Sequence, residues 1–213
     1  MTLSVDLDAL APSVRYKLLT ATIIPRPVAW VTTSNADGST NAAPYSFFNV
    51  FGQDPALVVL GLQHKADGTP KDTTVNIRRS GEFVVNIADE ALTEVMVATA
   101  AAFATGVSEP EALGLATAPA TGVGVRRLGA APVSISCTRK VALSFSEERE
   151  LLVGEAVGLD ARDGLIDTAT WRVDWDGYWP IARLFADKYA RLEEIAPHAI
   201  PSVADAPEKE PHT

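Results

Sequence analysis

The sequence predicts a mainly β protein, an antiparallel barrel with added helices. Short runs rich in branched and aromatic residues recur between turn signals. The helical segments number two or three and do not alternate with the strands one for one, as a parallel βαβ sheet would require.

Val28-Ala29-Trp30-Val31-Thr32-Thr33 is the first β-rich run, and Asn35-Ala36-Asp37-Gly38 has the composition of a tight turn into a second strand, Thr40 to Ser46. Leu57 to Leu62 is a continuous apolar run behind Asp54-Pro55 and reads as a buried strand. Asp72 to Arg79 starts polar, carries Val75 and Ile77, and meets Gly81 as a stop signal, which predicts a short helix. Glu82 to Ile87 is another strand. Asp89 is placed to cap a longer helix through Leu92, Met96 and Ala100 that ends near Gly106. Strands resume over Val133 to Phe145 and Glu150 to Leu159, and Tyr189 to Ile195 reads as a short helical close. One domain over 1–196 is expected, followed by a proline-punctuated flexible tail over 197–213.

The 213 residues are 47% hydrophobic and 21% charged, enough apolar material for a globular core. A net charge of −9 repels nucleic acid and anionic lipid, and Arg126-Arg127 and Arg139-Lys140 read as ordinary surface charges. Cys137 is the only cysteine and lies in an apolar alternation, so it reads as a buried, inert thiol. His64, His198 and His212 offer it no partner by spacing. The first sixteen residues lack a leader pattern and no run is long enough to cross a bilayer, which makes the cytoplasm the default location.

Several chemistries find no support. Gly122-Val123-Gly124-Val125-Arg126-Arg127 lacks the third glycine of a dinucleotide fingerprint, and Asp67-Gly68-Thr69-Pro70-Lys71 is not a phosphate-binding P-loop. No metal-ligand spacing occurs. Glu147, Glu148 and Glu150 fall between two strands and read as a solvated turn.

What remains is a concentration of polar residues where strands end: Thr32-Thr33, Asn41, Pro44-Tyr45-Ser46, Asn49, Lys71-Asp72-Thr73-Thr74 and Asn76. A phosphate is held by hydroxyls, a lysine and free backbone N–H groups, and the first turn of a helix supplies the last of these. The same residues read equally well as strand-forming threonines and a helix cap.

The ordered blocks Ile24-Pro25-Arg26-Pro27-Val28-Ala29-Trp30-Val31-Thr32-Thr33, Asn41 to Asn49, Asp54-Pro55, Lys71-Asp72-Thr73, Asn76-Ile77, Gly81 to Asn86 and Gly154 to Val157 resemble the flavin reductase-like proteins with the FMN-binding split barrel, in particular the flavoredoxin type. The resemblance implies a homodimer, FMN as cofactor and NAD(P)H as co-substrate. Hydride would pass to the flavin, and reduced flavin or electrons would go to a monooxygenase or another acceptor. No protein acid or base is then required, because the flavin carries the chemistry. The matching motifs place Ser46, Lys71 and Thr73 at the phosphate, with Thr32, Asn49 and Asn76 as further contacts and Asp72 orienting Lys71 or capping the helix. Two other readings stay open: an electron-transfer flavoprotein with tightly held FMN, and a non-catalytic flavin-binding module. The chain departs from the family pattern after Pro180 to Leu184, where Phe185-Ala186 stands in place of a frequent glycine pair.

Overall fold

The computed structural model describes residues 2–65, 67–200 and 202. Seven strands build its main sheet: β1 (Ala29–Ser34), β2 (Thr40–Tyr45), β3 (Phe48–Gln53), β4 (Ala56–Gln63), β5 (Glu82–Ile87), β6 (Val133–Ser144) and β7 (Arg149–Ala161). Their order across the sheet is β2-β1-β5-β6-β7-β4-β3, and all pairs are antiparallel.

The two edge strands, β2 and β3, are consecutive in the chain and separated only by Ser46 and Phe47. A flat seven-stranded sheet would put its edges far beyond the span of two residues, at close to 5 Å per strand. The sheet must therefore roll until its edges meet. Its inner face confirms this, since one core cluster collects Val31 of β1, Tyr45 of β2, Leu60 of β4, Phe83 of β5, Cys137 of β6 and Leu152 of β7, with Phe48 of β3 packed against it. No ladder joins β2 to β3, so the roll is an antiparallel split barrel with a seam.

Among the described residues four helices decorate it: α1 (Pro12–Thr22), α2 (Asp72–Ser80), α3 (Thr93–Ala98) and α4 (Glu109–Ala112). Helix α2 buries Ile77 in the inner core. Gly81 ends it at φ 75° and donates its N–H to Ile77 O, a left-handed cap that costs glycine nothing. The outer face of β1 is covered as well. Trp30 packs there with Met96, Leu128 and Ile181, which is why every residue from Ala29 to Thr33 is buried. Burying Phe83 and Trp30 stabilises the two layers by roughly 2–3 kcal/mol each.

Three expectations change. The helix predicted after Asp89 is a 3₁₀ turn (Glu90–Leu92) followed by α3, which stops at Ala98. Asp89 caps the turn, accepting from Leu92 N (3.2 Å). The alanine run beyond Ala98 continues as a loop because the Thr99 hydroxyl is committed to Met96 O (2.7 Å) and to the indole N–H of Trp30 (3.0 Å). Tyr189–Ala190 is a strand, not a helix, paired with Ala182–Arg183, which in turn pairs with Arg26–Pro27. Glu150 is not solvated: it is 3% exposed, ion-paired to Arg78 and 3.8 Å from His64 Nε2. Of the predicted tail, residues 201 and 203–213 lie outside the described residues.

Candidate functional site: a cleft along the seam

Lys71 is the N-cap of α2, in extended backbone conformation, and its side chain makes no capping bond. The first-turn N–H groups of Asp72, Thr73 and Thr74 have no partner within the helix. Asp72 and Thr73 line a cleft of about 390 Å³ whose wall also includes Asn41, Tyr45, Lys71 and Glu109. The loop Thr99 to Phe103, freed by the early end of α3, forms its far side. A smaller pocket of about 140 Å³ continues from Lys71 and Tyr45 to Ser46, Gln63, Tyr16 and Arg149.

Buried side-chain bonds fix this geometry. Asn41 Nδ2 donates to Thr73 Oγ1 (3.0 Å) and to Thr33 Oγ1 (3.2 Å). Asn76 Nδ2 donates to Thr33 Oγ1 (3.0 Å) and Asn35 Oδ1 (2.9 Å). The network ties α2 to β1 and β2, so the start of the helix cannot drift from the seam. Asp72 accepts from Gly106 N (3.0 Å) and lies 3.7 Å from Lys65 Nζ, which pins the loop across the cleft. That is a different task from orienting Lys71 or capping the helix.

Two titratable groups of the wall are displaced from their ordinary values. Burial pushes the Tyr45 phenol up to about 12 against a lowering effect of Thr73, so it is a neutral donor. No geometrically adequate hydrogen bond links the two, and the buried Tyr45 hydroxyl has no partner among the described residues. Burial also raises the Glu109 carboxyl, opposed by Ala42 N–H, which donates to Glu109 Oε2 at 2.8 Å. Glu109 thereby covers an edge N–H that β2 would otherwise leave open.

Of the residues expected from the sequence, Ser46, Lys71 and Thr73 meet at this seam. The other three stand apart from both pockets. Thr32 is buried on the outer face, where its hydroxyl accepts from Asn86 Nδ2 (3.2 Å). Asn76 is absorbed by the network that holds α2. Asn49 is exposed, its Oδ1 accepting from Val50 N (2.8 Å). Arg149, Tyr16, Tyr45 and Glu109 were not singled out as site residues by the sequence. Arg149 was hidden in a stretch read as an acidic turn, and only the folded chain sets its guanidinium 5.7 Å from the Tyr16 ring centroid and 5.8 Å from that of Phe47.

A rolled antiparallel sheet left open along a seam is a split-barrel architecture. A split-barrel flavin reductase fold from Shewanella frigidimarina superposes with a TM-score of 0.79 at 19% identity, covering 92% of this chain and 96% of that one. The model of the flavin reductase like domain matches residues 21–176, and the chain belongs to that family. Among solved structures it is similar to nitrilotriacetate monooxygenase component B from Bacillus cereus, with a TM-score of 0.87, 34% identity, and coverage of 93% of this chain and 99% of that one. It is also similar to Pseudomonas fluorescens 2-nitrobenzoate 2-nitroreductase, with a TM-score of 0.86, 36% identity, and coverage of 94% and 98%. No helix among the described residues is long and apolar enough to cross a membrane.

Proposed function

We propose that this protein holds FMN in the seam cleft and serves as an NAD(P)H-dependent flavin oxidoreductase, passing reduced flavin or electrons to an acceptor. One observation carries the reading: Lys71, the Ser46 hydroxyl, the unpartnered Tyr45 hydroxyl and the open first turn of α2 converge on one cleft. This donor set fits a phosphate monoester, which needs several hydrogen-bond donors and a positive charge. Lys71 supplies the charge, Ser46 and Tyr45 supply hydroxyl donors, and Thr73 contributes its backbone N–H and a hydroxyl that accepts from Asn41 and keeps its own proton to donate. Bound flavin supplies the hydride chemistry, and the protein fixes and shields it.

The acceptor follows from the relatives only as a class. One neighbour is a monooxygenase component and the other a nitroreductase, which supports a partner monooxygenase or a small-molecule acceptor. A homodimer fits the bare outer face of β4, β6 and β7, where Val59, Val153, Val141 and Leu143 stand on one side of the sheet without a covering helix.

The visible spectrum of purified protein and quenching of FMN fluorescence test the cofactor, and oxidation of NADH and NADPH with added FMN tests the activity. Lys71→Ala is expected to weaken FMN binding by about 1.5–3 kcal/mol, the range for hydrogen bonds to charged groups. Unchanged affinity removes Lys71 from the site. FMN that stays bound through gel filtration without turnover of free flavin replaces reductase activity with electron transfer.

A further inference from the structure

A second buried polar cluster lies outside the seam cleft, where the end of β4, helix α2 and the turn between β6 and β7 meet. The His64 side chain is 8% exposed and that of Glu150 2%. Glu150 Oε2 takes the Arg78 guanidinium and lies 3.8 Å from His64 Nε2, while the His64 N–H donates to Glu148 O at 2.9 Å. None of His64, Arg78 and Glu150 lines the pockets around Lys71 and Ser46.

The hydrogen bonds assign the imidazole tautomer. His64 Nδ1 lies 2.6 Å from Glu147 O, and a carbonyl oxygen only accepts, so Nδ1 carries a proton whether the ring is charged or neutral. In the neutral ring Nε2 is then a bare acceptor. It is buried, has no hydrogen-bond partner among the described residues, and faces a carboxylate that is also an acceptor. Proton uptake at Nε2 replaces that mismatch with a charge-assisted bond once the two groups close by about 1 Å. The charges around the ring favour uptake: Glu150 of β7, Glu147 and Glu148 of the β6–β7 turn and Asp67 of the loop after β4 are negative, and Arg78 of α2 opposes them. Lys65 and Arg149 are engaged elsewhere, Lys65 Nζ with Asp72 and Thr105 and the Arg149 guanidinium over the Tyr16 and Phe47 rings.

Lys71 follows His64 by seven residues and precedes Arg78 by seven. Glu150 therefore stands against both flanks of the segment that carries Lys71, meeting Arg78 from within α2 and His64 from the loop that leads into it. With the ring neutral, only the Arg78 flank is tied to the carboxylate. We propose that His64 is a positioning residue operated by a proton: its imidazolium closes on Glu150 and fixes the approach to Lys71, and loss of the proton releases that flank. The contribution of His64 to stability is then fullest at acid pH and declines as the ring loses its proton. The effect on phosphate binding rests on the proposed FMN site, whereas the clasp itself does not.

The test compares the full chain with His64→Phe, which keeps a ring and removes both nitrogens, at about pH 5.5 and about pH 8, either side of a histidine's usual titration. The melting temperature of the wild type should exceed that of the variant by about 2–4 °C more at the acid pH than at the alkaline one. Long-range nitrogen–proton NMR should show one imidazole, absent from the variant, that is protonated at Nδ1 at the alkaline pH. Glu150→Gln offers the neutral ring an amide donor and should abolish the pH dependence. The FMN dissociation constant of His64→Phe should be about fivefold that of the wild type at the acid pH, the low end for coupled sites, and equal to it at the alkaline one. Taking the ratio cancels the ionisation of the phosphate itself. Equal melting differences at the two pH values, a neutral ring protonated at Nε2, or a pH dependence that survives in Glu150→Gln overturns the clasp. A pH-dependent melting difference with a constant FMN ratio overturns the positioning of Lys71. A wild type that binds no FMN at either pH overturns the flavin reading, and the melting and NMR results still decide the clasp.

Discussion

The two edges of the rolled sheet are treated in opposite ways. Strand β2 is roofed: Glu109 of α4 takes the Ala42 N–H, α2 is tied to Asn41 through Thr73, and polar groups face a cleft. Strand β3 is bare, with Val50 71% and Phe51 69% exposed, and further into the sheet, beyond β4 and β7, the outer face of β6 shows Val141 and Leu143 to solvent. An open edge and an exposed apolar face invite pairing with another chain, whereas a roofed edge does not. The roofed edge is the one where FMN is proposed to bind, and the bare one lies on the side where a second copy is proposed.

The largest expected effect lies on the bare side. Leu143→Asp places an unpaired charge on the face assigned to the second copy and should weaken association by roughly 3–5 kcal/mol. Sedimentation velocity should show monomer in place of the dimer proposed for the wild type, and a dimer that persists in the variant moves the interface elsewhere. At the seam itself, a Cβ at position 61 would meet Phe47 Cβ at 2.8 Å, and the Gly61 N–H donates to Phe47 O at 2.7 Å. Gly61→Ala should cost about 1–3 kcal/mol in urea unfolding, the usual range for overpacking. A neutral result would mean that Phe47 is not held against β4 as closely as described.

Smaller effects sharpen the same contrast. Ala186 sits at φ 55° in the turn at residues 184–188, a conformation glycine adopts freely. Ala186→Gly should raise stability by up to about 1 kcal/mol, measured by thermal melting, and a loss would show that the alanine methyl packs there. The smallest change concerns Glu109. Its folded-state value is raised, chiefly by burial, so its stabilisation is complete below the ordinary 4.5 and declines as pH rises through the folded value. The melting temperature of the wild type relative to Glu109→Gln should fall as pH is raised from about 4.5 towards neutrality. A difference independent of pH would mean that the roof over β2 does not discriminate between the two charge states.

Local signals were legible in the sequence and non-local ones were not. The predicted helix at Asp72 to Arg79 is found as Asp72–Ser80, and the strands around Val31, Leu60, Val84 and Ile135 lie where branched residues recur. Lys71, Thr73 and Ser46 could be named because their motifs are contiguous. Tyr189–Ala190 was misread because a two-residue strand has no period and owes its form to a partner strand at Ala182–Arg183. The stop of α3 was invisible for a related reason: alanines favour helix, and the competing bond to Trp30 comes from 69 residues away. Arg26 could be quoted as part of a motif, but its burial beneath α1 could not be read from it. Asn86 went unremarked, although its Oδ1 accepts from Leu128 N and Ser134 Oγ, both at 2.9 Å, and this network draws Thr32 away from the seam.

The link of Ser46 and Phe47 between opposite edges has a consequence for how the protein could be taken apart. All six ladders of the main sheet are independent of that link, so a chain cut between these residues would retain every strand pair. What it would lose is the covalent reason for the edges to stay together. The nicked sheet could unroll, exposing Leu60 and Phe83 and separating Ser46 from a strand that would no longer be its neighbour. Strand content measured by circular dichroism would persist while the seam was lost, so the enclosed shape hangs on a tether two residues long.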